Sequence, residues 1–145
     1  MDFFDAINTS SSGLSAQRIR MNLISGNLAN VRTTRTQDGG PYRRKEAIFA
    51  AQPLNASFKD ILAERENHQL KGVNVVEIIE DPNPPVMKYN PQHPDADEQG
   101  YVALPNINLM EEMVNMISAS RSYEANVTAL KAAKDMAIKA LEIGN

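Results

Sequence analysis

Cysteine and tryptophan are absent from these 145 residues, histidine occurs twice, and aromatic residues make up 6% of the chain. Without cysteine there is no disulfide framework, thiolate zinc site, iron–sulfur cluster or cysteine nucleophile. Long apolar runs are missing as well: the longest, Ala47 to Ala51, falls far short of the roughly 18 residues that a membrane-spanning helix needs. A basic excess is also lacking, since the formal net charge is -3 and the pI about 5.4, which argues against a nucleic-acid partner. The first residues carry Asp2 and Asp5, no basic side chain before Arg18 and no continuous apolar core, so no secretory signal is expected there. The chain either stays in the cytoplasm or leaves through a machine that reads something else.

What is present is enough to fold. The hydrophobic fraction is 42% and methionine is plentiful at seven, which favours slender aliphatic packing. Residues 3 to 31 read as one amphipathic helix, with Ile7, Leu14, Met21 and Leu28 seven apart and a second row at Ser10, Gln17, Ile24 and Val31. Gly13 and Gly26 sit inside it at a cost of about 1 kcal/mol each relative to alanine, which calls for a compensating reason such as close helix approach. Thr33-Thr34 and Asp38-Gly39-Gly40-Pro41 stop the helix.

The texture then changes. Tyr42 to Gln52, Gly72 to Glu80, Val86 to Tyr89 and Tyr101 to Ala103 are short segments bounded by turn formers and read as strands. Pro82, Pro84, Pro85, Pro91 and Pro94 confine them to a small sheet. Between the first two, Phe58, Ile61 and Leu62 at helical spacing indicate a short helix or a mobile loop near 55–70. From residue 107 to 143 helical periodicity returns, through Leu109, Met113, Met116, Ser120, Tyr123, Val127, Leu130, Lys134, Ala137 and Leu141. Asn108 with Glu111 makes a capping-box-like start, and Gly144 stands at the C′ position.

Helices of these lengths measure about 43 and 55 Å at 1.5 Å per residue, longer than the roughly 38 Å diameter of a compact chain of this size. The expected architecture is therefore α+β: a long antiparallel, coiled-coil-like pair of terminal helices with a small β-rich insert at one end. The expected units are residues 1–35, 36–104 and 105–145. Two helices burying one stripe each are marginal alone, and the apolar residues off the main stripes (Ile19, Leu23, Met110, Ile117, Ile138) imply that neighbouring subunits cover a second surface.

Sites for chemistry are scarce. Asp95, Asp97, Gln99 and Gly100 match the first positions of a calcium-binding loop, but its twelfth position is Asn106 instead of glutamate, so the segment reads as a polar turn. Glu111/Glu112 and Asp95/Asp97 are carboxylate pairs in hydrophilic sequence, read as a helix start and a solvated turn. Arg43-Arg44-Lys45 reads as a solvated strand edge. No catalytic, metal or cofactor site is expected. Charge is uneven along the chain, +3 over residues 1–52, -5 over 53–105 and -1 over 106–145, which suits head-to-tail association.

Ser25-Gly26-Asn27-Leu28-Ala29-Asn30, followed by Thr33-Thr34-Arg35 and Gly39-Gly40-Pro41-Tyr42, resembles the N-terminal signature of bacterial flagellar rod, hook and hook-associated axial proteins. Asn90-Pro91, His93 to Glu98, Gly100 to Val102, Pro105-Asn106 and Glu112 to Val127 extend the likeness to the proximal rod branch of that family. The resemblance implies a non-enzymatic structural subunit of the basal body. It also implies export by the flagellar type III apparatus without a cleaved signal, and a location in the rod crossing the periplasm. Its partners would be other rod proteins and further copies of itself. The residues expected to pack between subunits are Ile7, Leu14, Met21, Asn27, Leu28, Asn30, Met113, Met116, Tyr123, Val127 and Leu130, with Asn27 and Asn30 satisfying backbone groups across packed helices. Outside the family, the helix pattern alone also fits a stand-alone coiled-coil adaptor or chaperone-like protein, and the 95–106 loop a calcium-binding module.

Overall fold

A computed structural model describes residues 3–53 and 71–143. The order of elements is α1 (Phe3–Ala29), β1 (Lys45–Pro53), β2 (Lys71–Glu80), β3 (Val86–Tyr89), β4 (Tyr101–Leu104) and α2 (Leu109–Ile143). The expected helices and strands are all present, with ends displaced by up to three residues. The expected short helix or loop near 55–70, and the cap at Gly144, lie outside the described residues.

The two helices pack antiparallel. Asn27 of α1 meets Glu112 of α2, and Gly13 meets Asn126, so fourteen residues of advance along one helix match fourteen of retreat along the other. At 1.5 Å per residue α1 is about 40 Å long and α2 about 52 Å. Asn108 caps α2 as anticipated: its Oδ1 accepts the backbone N–H groups of Met110 (3.1 Å) and Glu111 (3.4 Å).

The seam between them differs from the expected one. The buried positions are Gly13, Ala16, Ile24 and Asn27 on α1 and Glu112, Ala119 and Ala133 on α2. In α2 these lie one residue before Met113, Ser120 and Lys134 of the row expected from periodicity. Small residues win the seam because they let the backbones approach. A Cβ built on Gly13 would stand 3.1 Å from Asn126 Nδ2, tighter than ordinary contact, whereas one on Gly26 would meet only the Tyr42 hydroxyl at 3.8 Å. The close approach invoked for the two glycines thus holds at Gly13 and not at Gly26.

β1 and β2 form an antiparallel ribbon running from Lys45↔Glu80 to Pro53↔Lys71, with a bulge that leaves Val76 without an opposite residue. Instead of standing beyond the end of the helix pair, the ribbon folds back along α1. Its β1 edge is fastened at Asn27, through the Lys45 backbone, and its β2 edge at Ser12, whose Oγ accepts Val73 N–H at 3.0 Å. The fifteen steps from Ser12 to Asn27 rise about 22 Å, and the six steps along the strand from Lys45 to Ala51, opposite Val73, span about 20 Å. The match explains why the insert lies alongside: the ribbon is as long as the helix segment it covers, and the bulge adds the twist needed to cross it.

β3 and β4 make a separate hairpin, Val86↔Leu104 to Tyr89↔Tyr101, closed by an edge-to-face pair of Tyr89 and Tyr101 with centroids 5.4 Å apart. Gly100, at φ 82°, lets the turn pass under Tyr89. The Thr34 hydroxyl donates to Asp95 Oδ2 at 2.7 Å, joining the hairpin turn to the segment after α1.

Candidate functional site

Where α1 ends, β1 begins and α2 begins, the three elements meet in a buried polar junction. Asn27 and Glu112 are each 1% exposed. Asn27 Nδ2 donates to the Lys45 carbonyl (2.9 Å) and to Glu112 Oε2 (3.1 Å), while its Oδ1 accepts the Lys45 N–H (2.9 Å) and the Tyr42 O–H (3.1 Å). Its amide therefore imitates a neighbouring strand for Lys45 and has no unspent hydrogen-bonding group. Arg44 Nε donates to Glu112 Oε1 at 2.7 Å, and Arg44 Nη1 to Glu46 Oε2 at 3.2 Å. Both Glu112 oxygens are thus engaged and its charge is paired, which is what permits its burial.

The charges at the junction reinforce one another. Burial alone lowers the Arg44 pKa, but the hydrogen bond and negative charge of Glu112, assisted by Glu46, outweigh it and hold the guanidinium charged. The Tyr42 hydroxyl is pushed above its ordinary 10.0 by burial first and then by the negative Glu80 and Glu112, which keeps it a proton donor to Asn27. The junction forms the floor of an open groove of about 390 Å³ edged by Arg20, Leu23, Phe49 and Asn115.

Two sequence readings need correction here. Glu112 is not in hydrophilic surroundings: the antiparallel pairing carries the first turn of α2 against the end of α1. Arg44 is not on a solvated edge, being 21% exposed at its side chain and bound to Glu112; Arg43 is the exposed member of that triplet. Lys45 Nζ lies 3.5 Å from Glu80, so the acidic end of β2 is answered within the chain. A sequence signal existed for Glu112, since Glu111-Glu112 interrupts the apolar stretch from Leu109 to Val114.

Among the other residues expected to pack between subunits, Asn30 bonds locally. Its Nδ2 donates to the Gly26 carbonyl at 2.9 Å and its Oδ1 accepts the Thr33 hydroxyl at 3.1 Å, finishing the helix end. Ile7, Leu14, Met21 and Leu28 are half-buried on α1, as are Met116, Tyr123, Val127 and Leu130 on α2, and Met113 is exposed. Met110, Val114 and Ile117 are also exposed, so the helix pair turns much of its large apolar surface outward while burying small and polar residues inside. In the 95–106 loop the carboxylates serve the turn: Asp97 Oδ1 accepts the N–H groups of Gln99 (2.9 Å) and Tyr101 (2.7 Å). Among the described residues no group of three or more His, Asp or Glu side chains is placed to hold a metal.

With this geometry in hand, similarity to known proteins is informative. Residues 7–36 match the family described as flagella basal body rod protein, and residues 98–143 match the flagellar basal body rod FlgEFG protein C-terminal family. The chain is 50% identical to the flagellar basal-body rod protein FlgC of Borreliella burgdorferi, over 99% of this chain and 98% of that protein. It is 44% identical to FlgC of Bacillus subtilis over 99% of both chains, and 40% identical to FlgC of Yersinia enterocolitica over the same share.

Proposed function

The chain belongs to the FlgC family of flagellar basal-body rod proteins and is a structural subunit of the rod, and we propose that it builds that rod mechanically, by heterologous packing of its terminal helices. The observation that carries this reading is the division of labour in the helix pair. Small and polar side chains close the pair internally, while Met110, Met113, Val114 and Ile117 remain outside for neighbours to cover. The half-buried rows Ile7, Leu14, Met21, Leu28 and Met116, Tyr123, Val127, Leu130 would complete those contacts, with Asn27 fixing helix register from within.

In this proposal the helix pair forms the inner layer of the shaft and the β insert lies outside it, braced to α1. Contacts between unlike surfaces propagate around a helical axis without closing into a ring, and so give a tube that transmits torque. The partners are other rod proteins and further copies of this chain, and delivery is through the flagellar type III export apparatus to a rod crossing the periplasm. No chemical step is required of the subunit. Deletion of residues 1–31 in the native host, followed by electron microscopy of basal bodies, tests the reading: rods should be absent and cells non-motile, and normal rods with normal motility would overturn it. Intact mass of the chain recovered from basal bodies, expected to be uncut, checks the export route.

A further inference from the structure

The hairpin of β3 and β4 has two faces of different character. Tyr89 and Tyr101 close one of them. The other, by strand alternation and the pairing of Lys88 with Val102, carries Lys88, Asn90, Val102 and Leu104. The segment after α1 is held to the hairpin turn by the Thr34–Asp95 hydrogen bond and brings Arg32 to that face, while His93 enters from the turn. Together these six residues line an open hollow of about 380 Å³ that shares no residue with the groove over Asn27 and Glu112. Its floor is apolar, Val102 being buried, and its permanent charges are both positive. The Asp95 N–H donates to His93 Nδ1 at 3.1 Å, which leaves the proton of that ring on Nε2 as a further donor.

Nothing within the chain answers this charge. Among the described residues Arg32 and Lys88 make neither a hydrogen bond nor an ion pair, whereas Arg44 and Lys45 are both paired. The carboxylates of the adjoining turn are employed elsewhere: Asp95 accepts the Thr34 hydroxyl and Asp97 the N–H groups of Gln99 and Tyr101, and neither lines the hollow. Resting on the rod reading above, we propose that the hollow receives an acidic side chain of a neighbouring subunit, its carboxylate bound between Arg32 and Lys88 and its methylenes laid over Val102 and Leu104. Guanidinium and ammonium groups are donors only and bind a carboxylate through charge-assisted hydrogen bonds. A bare inorganic anion would use the donors but leave the apolar floor wet. A nucleic acid would need a basic track, and residues 53–105 carry a net charge of -5. That acidity sharpens the site, because a carboxylate approaching elsewhere on the insert is repelled and Arg32 with Lys88 marks where one can seat. An exposed ion pair holds weakly in dilute solution and strengthens when a neighbour covers it and excludes water, so the contact belongs to the assembled state.

Zero-length carbodiimide coupling reads this contact directly, since it joins a lysine amine to a carboxylate, with loss of water, only where the two already touch. Basal bodies isolated from the native host are treated with the reagent, and peptides containing Lys88 are identified by mass spectrometry. Lys88 should be found in amide linkage to an aspartate or glutamate of another polypeptide, either a different protein or, in a band at twice the mass of the chain, a second copy. Lys88 recovered unlinked, or linked within one chain at monomer mass, overturns the carboxylate site and leaves the rod reading intact. Absence of the chain from untreated wild-type basal bodies overturns both readings. A second check does not depend on coupling. Arg32 and Lys88 are both exposed, so the chain tolerates their exchange. As the only copy in the cell, Arg32→Glu with Lys88→Glu should lower motility several-fold, while Arg32→Lys with Lys88→Arg should keep it near the parent level. Motility unchanged by the charge reversal, or lowered equally by the conservative pair, overturns the site.

Discussion

Gly13 and Asn126 touch across the helix seam so closely that the first carbon of any side chain at Gly13 would stand 3.1 to 3.3 Å from the Asn126 amide. That amide is also anchored to its own helix, through Nδ2 donating to the Ser122 carbonyl at 3.0 Å. The space at this level of the pair is already taken.

A substitution series at the two helix glycines should therefore diverge. Gly26→Ala faces only a distant Tyr42 hydroxyl and should stabilise the chain by about 0.5–1 kcal/mol through the unfolded state and helix propensity. Gly13→Leu overfills the seam and should cost about 1–3 kcal/mol. Urea titration followed by far-ultraviolet circular dichroism, in a fixed concentration of stabilising osmolyte, reads both. A Gly13→Leu chain as stable as the parent would show that the helices do not approach as described.

Asn27→Asp keeps the shape of the side chain but loses both donated bonds and places a second carboxylate about 3 Å from Glu112 Oε2. The expected loss at neutral pH is on the order of 3 kcal/mol or more. Two adjoining carboxylates bind one proton more tightly in the folded state than in the unfolded one, so part of the loss should return as the pH falls toward about 4. Equal destabilisation at pH 8 and near pH 4.5 would contradict that origin.

Removing one partner of the Arg44–Glu112 pair should be worse than removing both. Arg44→Met leaves a carboxylate that is 1% exposed without its cation, at a cost of about 3–5 kcal/mol. The double variant Arg44→Met/Glu112→Met should recover most of that loss. A double-mutant cycle with no coupling energy would mean that the 2.7 Å contact contributes nothing.

Much of the fold is legible in sequence because periodicity and turn formers act locally: the helices, the strands and the Asn108 cap come from short windows, whereas Asn27 stands out only through its place in the flagellar signature. The Glu112–Arg44 pair does not, since its members are 68 residues apart and each looks solvated among its chain neighbours. The seam position is hidden for a related reason. Hydrophobic periodicity marks where apolar side chains lie, whereas Gly13, Ala16, Ala119 and Ala133 are buried by being small. Nor does any local pattern record that the ribbon matches in length the stretch of α1 between Ser12 and Asn27.

Alkaline pH supplies a fourth test. Because the Tyr42 pKa is raised in the folded chain above 10.0, the folded state holds its proton where the unfolded state has begun to release it. This contribution is fully present below pH 10 and is lost as the pH rises through the folded value. Thermal melts should fall more steeply above pH 10 in the parent than in Tyr42→Phe. At neutral pH the same variant should lose about 1 kcal/mol with the hydrogen bond to Asn27. Identical alkaline slopes would remove Tyr42 from the account.

The ribbon is fastened to α1 at both ends of its run, by Ser12 and by Asn27, and α2 is fastened to the same Asn27 through Glu112. Three slender members joined so that they cannot slide past one another behave as a laminated beam: bending one requires stretching another, and resistance grows far faster than the sum of the separate parts. With α1 pinned at Ser12 and Asn27, a twist applied at one end is expected to pass to the other as strain in hydrogen bonds already made.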